Sequence, residues 1–204
     1  MSSIHINAQK LNDTSEKKQV FKFDKDLVYI VCRGTKSKQS LISENFNLFD
    51  KNITHVAIGI FRENKFSIYN VSNDIGNKKN SFVIENIESF INRKDIQYWC
   101  LWGFKPPKQV RKMIFKNCEA YRNRFINFDN SFQLNNRDSL YCSEFVALIF
   151  NESGVKPLIK PTLKIFKDYF LQQMSGKKQI LYFPVDFFLM YKNVKKIYEY
   201  RVNL

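Results

Sequence analysis

The strongest constraint on the fold lies between His55 and Val71. His55 to Phe61 and Phe66 to Val71 are two apolar runs on either side of Glu63-Asn64. Asparagine tolerates the left-handed backbone that a two-residue turn demands, so the segment predicts an antiparallel β-hairpin. With Arg62 paired to Lys65, counting outward sets Asn70 opposite Ala57 and Ser72 opposite His55. The period of two along a strand puts His55, Ala57 and Gly59 on one face, and Val56, Ile58 and Ile60 on the other. Ala57 and Gly59 are small, which leaves room for another element to come close beside the imidazole.

Other segments extend this start into an α+β domain with a mostly antiparallel sheet. The run Leu27-Val28-Tyr29-Ile30-Val31-Cys32, ended by Arg33-Gly34, predicts a buried strand, and Tyr98 to Phe104 another. Pro106-Pro107 opens a helix whose apolar positions Val110, Met113, Ile114, Cys118, Tyr121 and Phe125 recur at helical spacing. A second helix is expected from about Ser139 to Ser153, closed by Gly154, and a third from Leu163 to Met174. Gln179 to Phe183 and Val194 to Tyr200 predict the last strands. No internal repeat or low-complexity linker interrupts the chain. Residues 1–20 read as a loose polar arm and 21–204 as a single domain, with apolar content high enough for one core.

Composition narrows the chemistry. No apolar run approaches the roughly 20 residues of a membrane span, and the first residues lack the apolar stretch of a secretory leader. A cytoplasmic protein is the expectation. Cysteines stand singly at 32, 100, 118 and 142, and the histidines are His5 and His55. That pattern suits neither a zinc site nor a disulfide framework, so no metal and no cofactor is expected. A net charge of +14 favours phosphates, on nucleic acid or on an anionic membrane surface. The basic residues are spread along the chain, and no nucleic-acid fingerprint accompanies them, so specific nucleic-acid binding is not expected.

Among the histidines, His5 lies in the polar arm, so a folded site needing an imidazole draws on His55. Among the cysteines, Cys142 differs from the rest. It falls in the first turn of an apolar helix carrying Phe145, Val146 and Ile149. Unpaired N–H groups and the positive end of the dipole there favour thiolate, the nucleophilic form. By itself a cysteine on an apolar helix is ordinary core, and a histidine at a strand start is ordinarily a satisfied edge residue. Asn70 adds a third observation, since the hairpin register brings its amide within reach of the imidazole, where its oxygen could fix the tautomer. Ser72 shares that face.

The segments Thr54-His55-Val56-Ala57-Ile58, Asp129-Asn130-Ser131-Phe132 and Tyr141-Cys142-Ser143-Glu144-Phe145-Val146 resemble the circularly permuted NlpC/P60 hydrolases, which are papain-like. More narrowly they resemble the YiiX/YebB-like branch, which also includes a poxvirus protein and in which the histidine strand precedes the cysteine helix. Asp26 to Ile30, Val83 to Ile91 and Phe183-Pro184-Val185-Asp186 are similar to further parts of that pattern. The resemblance implies a permuted papain-like fold with the nucleophile helix packed against the sheet. It also implies thiol attack on an amide or ester through an acyl-enzyme, with Cys142 as nucleophile, His55 as base and Tyr141 lining the pocket. Where Asn70 stands, the pattern often carries a carboxylate, which keeps Asp74 open as the third member. A working site needs the Cys142 sulfur and a His55 ring nitrogen within about 4 Å.

Three functional classes follow. The first is a thiol hydrolase acting on peptide or isopeptide bonds. The second is a thioesterase or acyltransferase acting on acyl lipids, to which net positive charge on an anionic membrane would be suited. The third is a non-catalytic basic binding module, which has no reason to place a thiol at a helix start beside its folded histidine. Oligomeric state is not legible in the sequence.

Overall fold

The computed structural model describes residues 3–6, 19–35, 46–73, 80–91, 95–134, 136–167, 172–173 and 176–201. Its centre is a six-stranded antiparallel sheet built from β3 (Val28–Thr35), β4 (His55–Arg62), β5 (Lys65–Val71), β6 (Phe82–Glu85), β7 (Ile96–Phe104) and β12 (Lys195–Arg201), in the order β12-β7-β3-β4-β5-β6. The hairpin of β4 and β5 has the expected register, with Arg62 opposite Lys65 and Ile58 opposite Tyr69. Glu63 and Asn64 both take positive φ, 52° and 59°, as a mirror-image two-residue turn requires.

Each face of the sheet carries its own core. On one side Val56, Ile58 and Ile60 pack with Val28, Ile30, Cys32 and Cys100 against α2 (Lys108–Ala120) and α3 (Cys142–Glu152). On the other, Ala57, Tyr29, Val31 and Ile68 pack with Phe21, Phe23 and Trp99 and with Ile87 and Phe90 of the short α1 (Ile87–Ile91). Burial on both faces explains why β3 and β4 read as continuous apolar runs. Gly59 is needed here: a Cβ would stand 2.5 Å from the Phe66 ring.

Helix α3 ends as its sequence predicts. Gly154 takes φ 83°, its N–H donates to Asn151 O at 3.1 Å, and the Val155 N–H reaches back to Phe150 O at 3.0 Å. Helix α2 stops at Ala120 with Tyr121 as its C-cap, so Phe125 lies beyond the helix and is exposed.

The helix expected over Leu163 to Met174 is corrected at its start, while Gln172 and Gln173 are helical and residues 168–171 and 174 lie outside the described residues. Thr162–Ile165 is a strand, β10, paired antiparallel with β11 (Gln179–Tyr182). Thr162 and Ile165 are β-branched, and pairing with a distant strand settles the conformation. The polar arm also contributes structure: β1 (Ser3–Ile6) pairs with β2 (Gln19–Lys22). Short parallel strands β8 (Asn127–Phe128) and β9 (Ser139–Leu140) lead into α3.

Candidate functional site

Two groups of sequence-predicted residues meet the same end of the sheet. The first is polar and lies on the α1 side. His55 opens β4, and its Nε2 lies 2.6 Å from Asn70 Oδ1, a buried contact across the hairpin. Asn70 Nδ2 donates in turn to Glu85 Oε1 on β6, at 2.7 Å. Arg33, opposite His55 on β3, is 0 % exposed. It donates to the Phe90 carbonyl at 3.0 Å and to Ser72 Oγ at 3.5 Å, and its guanidinium stacks 4.5 Å from the Phe90 ring. The imidazole approaches the same ring, centroid to centroid at 6.0 Å. A buried guanidinium held by a carbonyl, a hydroxyl and a ring face keeps much of its hydrogen bonding after leaving water.

The second group is the start of α3. Cys142 is its first residue, after Tyr141 at the N-cap, and its side chain packs in the core on the helix side of the sheet. Val56 pairs with Cys32 one row along from the Arg33–His55 pair, and the Cys32 thiol lies close enough to Cys142 for the two to interact electrostatically. Cys142 and His55 thus stand at the same end of the sheet, His55 at the start of β4 and Cys142 at the start of the helix that packs on it. The register brings His55, Asn70 and Ser72 onto one face. Asp74 lies outside the described residues.

The turn carrying Cys142 is anchored from below. Ser143 Oγ donates to the Phe183 carbonyl at 2.7 Å, and the Phe183 N–H donates to the Tyr141 hydroxyl at 2.8 Å, so the residue after β11 is tied to both neighbours of the thiol. Tyr141 is buried, with its ring 4.9 Å from that of Phe132, and its hydroxyl serves this anchor. Glu144 hydrogen-bonds the Tyr141 backbone, the reach-back of a capping box. Burial pushes its carboxyl up to about 8, and its Oε2 has no partner. At neutral pH it is therefore mostly the uncharged acid, which places no negative charge two residues from Cys142.

Asp129 and Asp186 organise the loops around this turn. Asp129 accepts from Ser131 N and Oγ, both at 2.7 Å, and from Gln133 N. Asp186, fully buried, accepts backbone N–H groups of Leu48, Phe49 and Asp50, which lead into β4. Sequence reasoning missed Arg33, Glu85, Ser143, Glu144 and Asp186 as site-building residues. Two carried a signal: Arg33 is a charge at the end of an apolar strand, and Glu144 stands three residues after the N-cap. Among the described residues no group of three or more His, Cys, Asp or Glu side chains could hold a metal ion, and no helix is long and apolar enough to cross a membrane.

No protein-family model matches the sequence, and no curated protein matches it. The structure is similar to that of metalloprotein yiiX from Escherichia coli O157:H7, DUF1105, with a TM-score of 0.63 and 12 % sequence identity over 88 % of this chain and 100 % of that one. At that identity the likeness shows the fold: this chain is an α+β protein of yiiX-like architecture, with helices packed on a large antiparallel sheet.

Proposed function

We propose that the chain is a thiol hydrolase that cleaves an amide, peptide or isopeptide, through Cys142, His55 and Asn70. The observation that carries the reading is the buried 2.6 Å contact between His55 Nε2 and Asn70 Oδ1. A carbonyl oxygen accepts only, so Nε2 is the protonated nitrogen and Nδ1, nearer the backbone, is the base. His55 is the first residue of its strand, and in this proposal Nδ1 meets the thiol around the end of the sheet. Nδ1 takes the proton from Cys142 Sγ as sulfur attacks the carbonyl carbon. The tetrahedral oxyanion is held by the Cys142 N–H, because first-turn amides point outward from a helix. Collapse breaks the C–N bond, the leaving amine takes the proton from Nδ1, and a thioester remains. Water then loses a proton to Nδ1 and attacks the thioester, the C–S bond breaks, and sulfur regains the proton. The resemblance to permuted NlpC/P60 hydrolases points to the same roles.

The test is a panel of acylated and peptidic fluorogenic probes on purified protein, with the acyl adduct mapped by mass spectrometry. Turnover should vanish in Cys142→Ala and His55→Ala, with the adduct on Cys142. Equal turnover in wild type and Cys142→Ala would sink the proposal.

One observation favours a second reading, a thioesterase or acyltransferase acting on acyl lipids at an anionic membrane. Leu163, Ile165 and Leu181 are exposed on one face of the β10–β11 pair, with exposed Lys160, Lys167 and Lys178 at its ends. The same hairpin continues into Phe183, which is bonded to the turn that carries Cys142.

A further inference from the structure

The hydrogen bond between His55 and Asn70 has a second half. Asn70 is fully buried on β5, and its other amide atom, Nδ2, donates to Glu85 Oε1 at 2.7 Å. Strands β5 and β6 pair with Asn70 opposite Val83 and Ile68 opposite Glu85. Glu85 is therefore the diagonal neighbour of Asn70 on the same face, within reach of a long side chain. It is half-buried, so its carboxylate borders solvent on one side and the amide on the other.

An asparagine can present either end of its amide to a neighbour, and the hydrogen-bond network decides which. A carboxylate accepts and does not donate, so Glu85 turns the Asn70 NH2 toward itself. The carbonyl oxygen is then left facing His55, and the imidazole must donate to it from Nε2. In the reverse orientation two acceptor oxygens would face each other at 2.7 Å, which like charge and lone-pair repulsion forbid. We infer that Glu85 is a positioning residue that sets the tautomer of His55 through Asn70, placing the proton on Nε2 and the basic lone pair on Nδ1. This deepens the hydrolase reading and rests on it for its catalytic meaning, while the tautomer itself does not.

The arrangement also explains how an amide can stand where the resembling family often has a carboxylate. The negative charge is present one hydrogen bond further out. Arg33 on β3, opposite His55 on the same face, is the charged group of opposite sign beside the imidazole.

The experiment uses 15N-labelled full-length protein and two-dimensional spectra that correlate ring nitrogens with ring carbon-bound protons, at a pH above imidazole titration. The chain has 2 histidines, and the His55 signals are those lost in His55→Gln. Wild type should show the Nε2–H form of His55. Glu85→Ala lets water, both donor and acceptor, face Asn70, so the two tautomers should mix. In Glu85→Lys a donor faces Asn70, the amide reverses, and His55 should move to the Nδ1–H form. With the wrong tautomer, kcat should fall by up to about 10⁴-fold in Glu85→Lys, and by roughly 10-fold in Glu85→Ala, the scale of lost outer-shell partners.

A wild-type Nδ1–H form, or a folded Glu85→Ala with an unchanged tautomer, overturns the inference, and the second holds even if Glu85→Lys fails to fold. A tautomer that follows residue 85 in a protein that cleaves no probe would retire the hydrolase reading alone. An active enzyme whose tautomer ignores residue 85 would do the reverse.

Discussion

Replacing Glu144 by glutamine should stabilise the protein at neutral pH and do little at pH 4.5 or below. Burial raises this carboxyl from its ordinary 4.5 to about 8, with Asp129 adding to the rise and the Tyr141 backbone hydrogen bond opposing it. A folded-state pKa above the unfolded one means that the folded chain holds a proton the unfolded chain releases. The associated stability is fully present below pH 4.5 and is lost as pH rises toward 8. One pH unit is worth about 1.4 kcal/mol, and roughly 2.5 units separate 4.5 from pH 7, so the wild type gives up about 3 kcal/mol by neutrality. Glutamine keeps an oxygen for the Tyr141 N–H and does not titrate, and its spare NH2 replaces an acid hydroxyl that already lacks a partner. In a chain of this size about 3 kcal/mol moves Tm by roughly 6–12 °C. The assay is thermal unfolding of both proteins from pH 4.5 to 8. The curves should coincide at the acid end and diverge steadily above it. Parallel curves, or a variant less stable throughout, would show Glu144 ionised and paired, and the reasoning would fail. Because the uncharged acid adds no charge beside Cys142, Glu144→Gln should also retain the turnover proposed for the wild type at neutral pH.

Iodoacetamide at neutral pH should label Cys142 first, as it is 6 % exposed while Cys32, Cys100 and Cys118 are 0 % exposed. Peptide mapping would also separate access from acidity, since a hydrogen bond from Cys32 pulls the Cys100 thiol down while burial pushes Cys32 and Cys118 up. Early labelling of Cys100 would show that the core opens. Asn70→Ala should fold and lose turnover, by less than Cys142→Ala does. The sequence alone suggests that aspartate at 70 could match wild type. The structure revises this, because Glu85 Oε1 sits 2.7 Å from the Asn70 amide nitrogen and would face a second carboxylate. Asn70→Asp should therefore lose activity and regain it with Glu85→Gln, and an active Asn70→Asp alone would contradict this geometry. At Gly34→Ala the new Cβ would stand 1.9 Å from the Asn52 carbonyl oxygen, a backbone atom that cannot swing away. A loss of about 3 kcal/mol is expected, the upper end for overpacking, read as the fall in urea midpoint. Leu163→Asp with Leu181→Asp should reduce sedimentation with anionic vesicles and leave neutral vesicles, which should not bind, unchanged. Added salt should weaken the wild-type binding.

What the sequence determined by itself was local. The two-residue turn at Glu63-Asn64 sets the β4–β5 register, and the register alone brings Asn70 to His55, because both depend only on neighbours along the chain. Helix α3 was legible for the same reason, since an apolar stripe and Gly154 as its stop are local signals, but its start, expected at Ser139, lies at Cys142 because Ser139–Leu140 pairs as a strand. Other features belong to the tertiary structure. Thr162–Ile165 is apolar enough for either conformation, and pairing with Gln179–Tyr182 made it a strand. Asp186 looks like an ordinary surface acid until the N–H groups of Leu48, Phe49 and Asp50, more than a hundred residues earlier, gather around it. Alternation placed His55 away from Val56, but only the packing of α3 against the sheet brought the start of that helix to the end where His55 opens β4. Glu85 likewise acquires its role from β6 pairing next to β5, a contact no periodicity encodes. Hydrogen-bond rules and turn chemistry act over a few residues and can be read in order. Which strand lies beside which, and which face a helix covers, are decided by burying apolar surface across the whole chain at once.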